Sequence, residues 1–253
     1  MRYLFSPEGN EAIDALLARR PLLAFDFDGT LAPIVGHPDD ACVPQAVSDA
    51  LSGLAALRPV AVITGRSVND VQRRLGFTPA YVIGNHGAEG LPGAPADRRH
   101  LLDPLRQQLR RRTRYLQRHG VMVEDKGGSL ALHYRLAADR PCALRAIEAV
   151  LVGLDEQLEV FGGKLVMNVV PASSPDKGDA VIHLVAHAGC DAALFIGDDV
   201  NDEAVFRVAA PDWLTVRIGR DEPASLARFF LESSDEVVEL LERMRGRLEA
   251  RGA

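Results

Sequence analysis

Asp26 and Asp28 stand two residues apart at the end of the apolar run Leu22-Leu23-Ala24-Phe25, and Gly29-Thr30 follow them. An uninterrupted apolar run of this kind reads as a strand buried on both faces, and alternation along it puts the two carboxylates on one side. Two acids are costly to bury for packing alone, so a metal ion or a reacting group is the natural compensation. Taken alone, the pair is equally a polar strand end passing into an Asx turn at Asp28-Gly29. A second acidic cluster, Gly197-Asp198-Asp199-Val200-Asn201-Asp202-Glu203, closes another apolar run that begins at Asp191. After so apolar a run a solvated turn is the weaker reading. Thr64-Gly65-Arg66 ends the run Val60-Ala-Val-Ile, and Lys177-Gly178 opens a helical stretch. Thr64 by itself is an ordinary β-branched strand residue. At a strand-to-helix junction, however, it is well placed for an anion.

If a parallel sheet brings these ends together, one cleft holds Asp26, Asp28, Thr64, Lys177, Asp198, Asp199 and Asp202. Hard carboxylate oxygens with room for water suit Mg²⁺. Lys177 and Thr64 would hold oxygens that the metal does not reach. A cation, a lysine and acids in one site point to phosphoryl transfer, in which positioning and charge neutralisation do most of the work. An aspartate can attack phosphorus and form an aspartyl-phosphate, and a second carboxyl can move the protons. Neither a P-loop nor a Gly-rich dinucleotide fingerprint is present, which weakens both of those readings.

The elements needed to position these residues are legible in outline. Helical periodicity covers about 8–19 and 45–57, and strand runs at 60–63 and 81–83 each lead into a turn. A helix follows Ser67, with Asp70 in a capping-box position. Strand-turn-helix units in succession predict an α/β fold with a doubly wound parallel sheet. The alternation resumes after Pro171 with a helix to about 188, the strand before Gly197, a strand at 214–218 and a terminal helix from about 234. Between them the pattern changes, giving a core of residues 1–100 and 171–253 and an inserted, smaller α+β domain at 101–170. The insertion is expected to hold a helix over 103–119, strands at 121–126 and 129–135, a helix after Pro141, and a hairpin turning at Gly162-Gly163. Alternation puts Glu124, Lys126, His133 and Arg135 on one polar face, either the wet side of a sheet or a sugar-phosphate surface. His86, in Gly84-Asn85-His86-Gly87 at a strand end, is balanced between a loop histidine and a ligand contact.

The 253-residue chain is 47% hydrophobic with a formal charge of -6. That charge argues against a nucleic-acid or membrane-surface binder. The arginine-rich helix at 103–119 is then better read as a solvated face than as a polyanion site. No run of about 18 apolar residues is present, and three dispersed cysteines suit free thiols, so the expectation is a soluble cytoplasmic protein. Its expected partner is a small molecule, not nucleic acid or membrane, and its expected state a monomer or weak homodimer.

The ordered set Asp26-Phe-Asp-Gly-Thr-Leu, Val62-Ile-Thr64-Gly, Lys177-Gly and Gly197-Asp198-Asp199-x-x-Asp202 resembles the haloacid dehalogenase superfamily of phosphotransferases. Within it, the chain resembles the trehalose-6-phosphate phosphatase family. The likeness lies in Ala32-Pro-Ile with His37-Pro-Asp, in Thr64-Gly-Arg66, in Gly84-Asn-His86-Gly-Ala-Glu, and in Val123-Glu124-Asp-Lys126 with Ser129-x-Ala-x-His133-Tyr-Arg135. The resemblance implies that Asp26 is the nucleophile and Asp28 the general acid and base. It implies Mg²⁺ held by Asp26, the Asp28 carbonyl and Asp198, with Asp199 and Asp202 supporting the metal shell or Lys177. Thr64 and Lys177 would hold the phosphoryl group. Thr30, His37, Gly65, Arg66, His86, Glu124, Lys126, His133, Arg135 and Asn168 would line the substrate site, with the inserted cap gripping the sugar. The implied reaction is hydrolysis of trehalose 6-phosphate to trehalose and phosphate. Asn168 stands where the family usually has a glutamate, and Asn201 where a threonine is common. The first departure keeps another glycosyl phosphate open as the substrate.

Overall fold

The structure, a computed structural model, describes residues 1–93, 98–163, 165–172 and 174–252. Its elements run β1 (Arg2–Tyr3), α1 (Pro7–Leu17), β2 (Pro21–Phe25), α2 (Gln45–Ala55), β3 (Val60–Ile63), α3 (Val68–Gln72) and β4 (Tyr81–Ile83). Then come α4 (Asp103–Arg118), β5 (Met122–Asp125), β6 (Leu130–His133), α5 (Arg140–Leu151), β7 (Leu158–Gly163) and β8 (Val166–Pro171). The chain ends with α6 (Lys177–His187), β9 (Ala192–Gly197), α7 (Glu203–Val208), β10 (Leu214–Ile218), β11 (Phe229–Leu231) and α8 (Asp235–Gly252). The chain divides into two compact units, Met1–Gly93 with Pro175–Ala253, and Ala94–Ser174.

The larger unit is built on a seven-stranded sheet in the order β1-β11-β10-β9-β2-β3-β4, with every pair parallel. All residues of β2, β3 and β9 are buried, as a sheet covered on both faces requires. Helices α1 and α2 pack with α8, and α6 packs with α7. Their apolar faces join the strands in one core that includes Phe25, Phe195, Leu51 and Leu240. The architecture is thus the doubly wound α/β fold expected. Strands β1 and β11 had no counterpart in the sequence reading. They are two and three residues long, too short for alternation to register; β11 pairs with the edge of β10, and β1 with β11.

The smaller unit is α+β. Its antiparallel sheet has the order β5-β6-β8-β7, and Leu130, Leu132 and Val169 on one face share a core with Leu105, Leu109 and Leu116 of α4 and Ile147 of α5. The hairpin differs from the expected turn at Gly162-Gly163. Both glycines lie in β7, and Gly163 pairs with Val166, so the turn comes after Gly163, with Leu165 at φ 63°. Pairing of Val160 with Val169 and Leu158 with Pro171 carries the ladder past the glycines. Register follows the buried face, not the local turn signal. Lys164, expected at the start of the second hairpin strand, lies outside the described residues.

Candidate active site

Parallel pairing of β9, β2, β3 and β4 ends all four strands on one side of the sheet, and the residues that follow them are Asp198, Asp26, Thr64 and Gly84. Asp26 is held in line by its N–H, which donates to Ile196 O at 2.9 Å. Two close approaches require glycine here. Gly29 has φ +82°, and a Cβ on it would lie 2.3 Å from Asp198 Oδ2; a Cβ on Gly197 would lie 2.2 Å from Asp202 Cγ.

Lys177 enters from the first turn of α6, which is fixed by a reciprocal capping box between Asp176 and Asp179. Its ammonium donates to Asp26 Oδ1 and to Asp202 Oδ1, both at 2.7 Å. Lys177, Asp26 and Asp202 are 3%, 4% and 0% exposed. Burial pushes the Asp26 carboxyl well above its usual range; Lys177 lowers it, and Asp202 and Asp198 raise it further. For Lys177, burial works against the charge, but Asp202 and Asp26 more than offset this and raise its pKa. Asp26, Asp198 and Asp202 each place a carboxylate oxygen within 4.8 Å of the others. Three clustered carboxylates are hard oxygen donors, and in that arrangement they fit a small divalent cation. Asp202 is engaged on both oxygens, Oδ1 taking Lys177 and Oδ2 the N–H of Asp199 at 2.9 Å. Neither Asp28 nor Asp199 joins this group. Asp199 instead caps the turn at 200–202, accepting from Val200 N at 2.8 Å.

Asp28, on the same strand end, is engaged on both oxygens by Arg66, at 2.8 Å to Nε and 2.7 Å to Nη2. Thr64 is fully buried; its N–H donates to Ile83 O at 2.9 Å, and its hydroxyl accepts from Arg66 N at 3.1 Å. Over Gly65 lies the imidazole of His86, whose Cε1 would be 2.4 Å from an added Cβ. His86 and Asn85 both adopt left-handed backbone, φ 60° and 49°, secured by His86 N to Thr64 O at 2.9 Å and by Asn85 Nδ2 to Glu89 at 2.5 Å. Strain of this kind persists only where surrounding bonds over-determine it, and it concentrates at functional sites. Thr30 has its hydroxyl buried without a hydrogen-bond partner, and His37 sits on an exposed loop.

In the smaller unit, Glu124, Ala131, Asn168 and Phe161 form one row across the sheet, on the face opposite the apolar core. His133 Nε2 shares a hydrogen bond of 2.8 Å with Glu124, and Lys126 Nζ lies 3.9 Å from the same carboxylate. Asn168 is 1% exposed, and its Nδ2 has no hydrogen-bond partner. Arg135 does not extend the row. Strand β6 ends at His133 and Arg135 lies exposed in the following turn, so period-two alternation does not reach it. Two residues were given no site role from the sequence. Asp70 braces Arg66 at 2.8 Å. Arg217, 4% exposed at the end of β10, lies 3.5 Å from Asp199 O and 3.4 Å from Glu203. A charged residue inside the apolar run Leu-Thr-Val-Arg-Ile was the available signal for the second.

Among curated relatives, the trehalose-phosphate phosphatase of Mycobacterium ulcerans is 33% identical over 94% of this chain and 65% of its own length. The chain therefore spans slightly under two thirds of that relative. Among solved structures, a trehalose-6-phosphate phosphatase related protein superimposes with a TM-score of 0.76 at 22% identity, covering 92% of this chain and all of the other. The C-terminal domain of trehalose-6-phosphate phosphatase from C. albicans gives 0.76 at 21% identity, covering 94% and 96%. Residues 24–234, from the strand before Asp26 to the start of the last helix, match the profile of the trehalose-phosphatase family, and the chain belongs to that family.

Proposed function

We propose that the chain is a Mg²⁺-dependent phosphatase that hydrolyses trehalose 6-phosphate through an aspartyl-phosphate on Asp26. The observation that carries this reading is the buried Asp26–Lys177–Asp202 ion set at 2.7 Å, beside Asp198, in a member of this family. Asp26 and Asp198 would hold the cation, with Asp202 supporting it through Lys177 and the Asp28 main-chain carbonyl available beside them. When bound, Mg²⁺ would neutralise phosphoryl oxygens and let Asp26 ionise in its buried setting. Asp26 attacks phosphorus as the bond to the sugar oxygen breaks, and Asp28 gives that oxygen its proton. In the second step Asp28 takes a proton from water, the water oxygen bonds phosphorus, and Asp26 is released. Lys177 keeps Asp26 aimed and offsets charge, while Thr64 and the turn after β3 steady the phosphoryl oxygens.

Glu124, Lys126 and His133 are assigned to sugar hydroxyls, because they make up the charged, hydrogen-bonding face of the smaller unit's sheet. A second reading, hydrolysis of another glycosyl phosphate, is favoured by Asn168, whose neutral amide replaces an expected carboxylate. Purified protein with Mg²⁺ and a panel of sugar phosphates decides between them. Trehalose 6-phosphate should be preferred, and a rate no better than that for glucose 6-phosphate would defeat the specificity assignment. Asp26→Asn should abolish turnover, and an active variant would sink the covalent route. The cysteines are free thiols, which suits the cytoplasm; fractionation of the source cells tests that assignment.

A further inference from the structure

The guanidinium of Arg66 is committed inside the protein. Nε and Nη2 grip the two oxygens of Asp28, Nη1 donates to Asp70 Oδ2 at 2.8 Å, and Nη2 also reaches Pro38 O at 2.8 Å. The ring of Phe27 lies 5.2 Å away, under the guanidinium. With four of its five N–H groups so engaged, Arg66 has little left for a phosphate. The Arg66 side chain is 9% exposed whereas that of Asp28 is 41% exposed, so Asp28 is gripped from behind and open in front. A planar fork that meets a carboxylate with two bonds fixes its plane as well as its position. Without such a partner an aspartate side chain is free to change rotamer.

We propose that Arg66 is a positioning residue for Asp28, setting the orientation in which that carboxyl passes its proton to the departing sugar oxygen and later takes one from water. This rests on the assignment of Asp28 as general acid and base. In the first step the proton passes from Asp28 to the sugar oxygen as the bond between phosphorus and that oxygen breaks and that from Asp26 forms. Asp70 keeps Arg66 in place throughout.

The test compares two substrates and a double variant. A sugar oxygen leaves poorly unless protonated, whereas 4-nitrophenolate leaves without a proton. Arg66→Met should lower kcat/KM for trehalose 6-phosphate by about 10²-fold, and that for 4-nitrophenyl phosphate by less than about threefold. Asp28→Asn should show the same selectivity, and adding Arg66→Met to it should cost nothing more, because both act through one group. Equal losses on the two substrates, or an additive loss in the Asp28→Asn background, would overturn the proposal and assign Arg66 to phosphate contact or to folding. An unselective Asp28→Asn would instead remove the acid–base assignment, and the proposal with it. Should Arg66→Met fail to fold by thermal melt, Arg66→Lys, which keeps the charge but not the fork, carries the same comparison.

Discussion

Replacing Lys177 by Met would strip Asp26 and Asp202 of the ammonium that bridges them, with Asp198 beside them. A buried charge stripped of its partner costs about 3–5 kcal/mol, and denaturant unfolding without divalent cation should show a loss of that order. Added Mg²⁺ should recover part of it, since a cation replaces the missing positive charge; equal losses with and without Mg²⁺ would argue against metal binding by these carboxylates. Residue types were legible in the sequence here, because acids and a lysine beside apolar strands have few structural uses. Their division of labour was not. Asp202 and Asp198 look alike in the motif, yet one has both oxygens taken by Lys177 and Asp199 N and the other lies against Gly29. Arg66 likewise reads as a substrate contact, whereas its side chain is held by Asp28 and Asp70.

At the level of elements, the site depends on two strand-end loops passing very close together and on the start of one helix. Gly29→Ala puts a Cβ where Asp198 stands and forces φ +82° on an alanine. The backbone conformation alone costs about 1–2 kcal/mol. Calorimetric titration should therefore show weaker Mg²⁺ binding as well as a lowered melting temperature; unchanged affinity would mean that Asp198 does not hold the metal. Asp176→Ala removes the side chain that accepts from Asp179 N and caps α6. About 1 kcal/mol of stability should be lost, and turnover should fall further than that loss of stability explains, because Lys177 is the next residue. The strands and helices were legible because their apolar periodicities are strong. The hairpin turn was misplaced because two glycines are a local signal, and the pairing of Leu158 and Val160 outweighs it.

Across the whole molecule the two units have separate apolar cores, which predicts separable stability. Leu116→Ala, in a fully buried position on α4, should cost about 2–5 kcal/mol. Hydrogen exchange should locate that loss in residues 99–171, leaving β2 and β9 protected; loss of protection in both would mean one cooperative unit. The smaller unit should also respond to acid through Asp125. Burial raises its carboxyl, but Arg106 and the N–H of Gly127 outweigh this and hold it below the ordinary value. The stabilisation is therefore present above the usual aspartate pKa and is lost as pH falls through the lowered one. Asp125→Asn should melt earlier than the parent at neutral pH, with the difference shrinking as the solution is acidified below the ordinary aspartate range; a difference that persists undiminished in acid would assign the loss to packing.

The α/β order of elements, the acids and lysine of the site, and the family likeness could be read from the chain alone, because these depend on residue type and on short, strong periodicities. Which acid partners Lys177, that Arg66 pairs with Asp28, and that Arg135 leaves the polar face of Glu124, His133 and Asn168 emerge only from the fold. Those outcomes depend on which strand ends meet and where each strand stops. Both are fixed by long-range pairing and burial, which no short stretch of sequence contains.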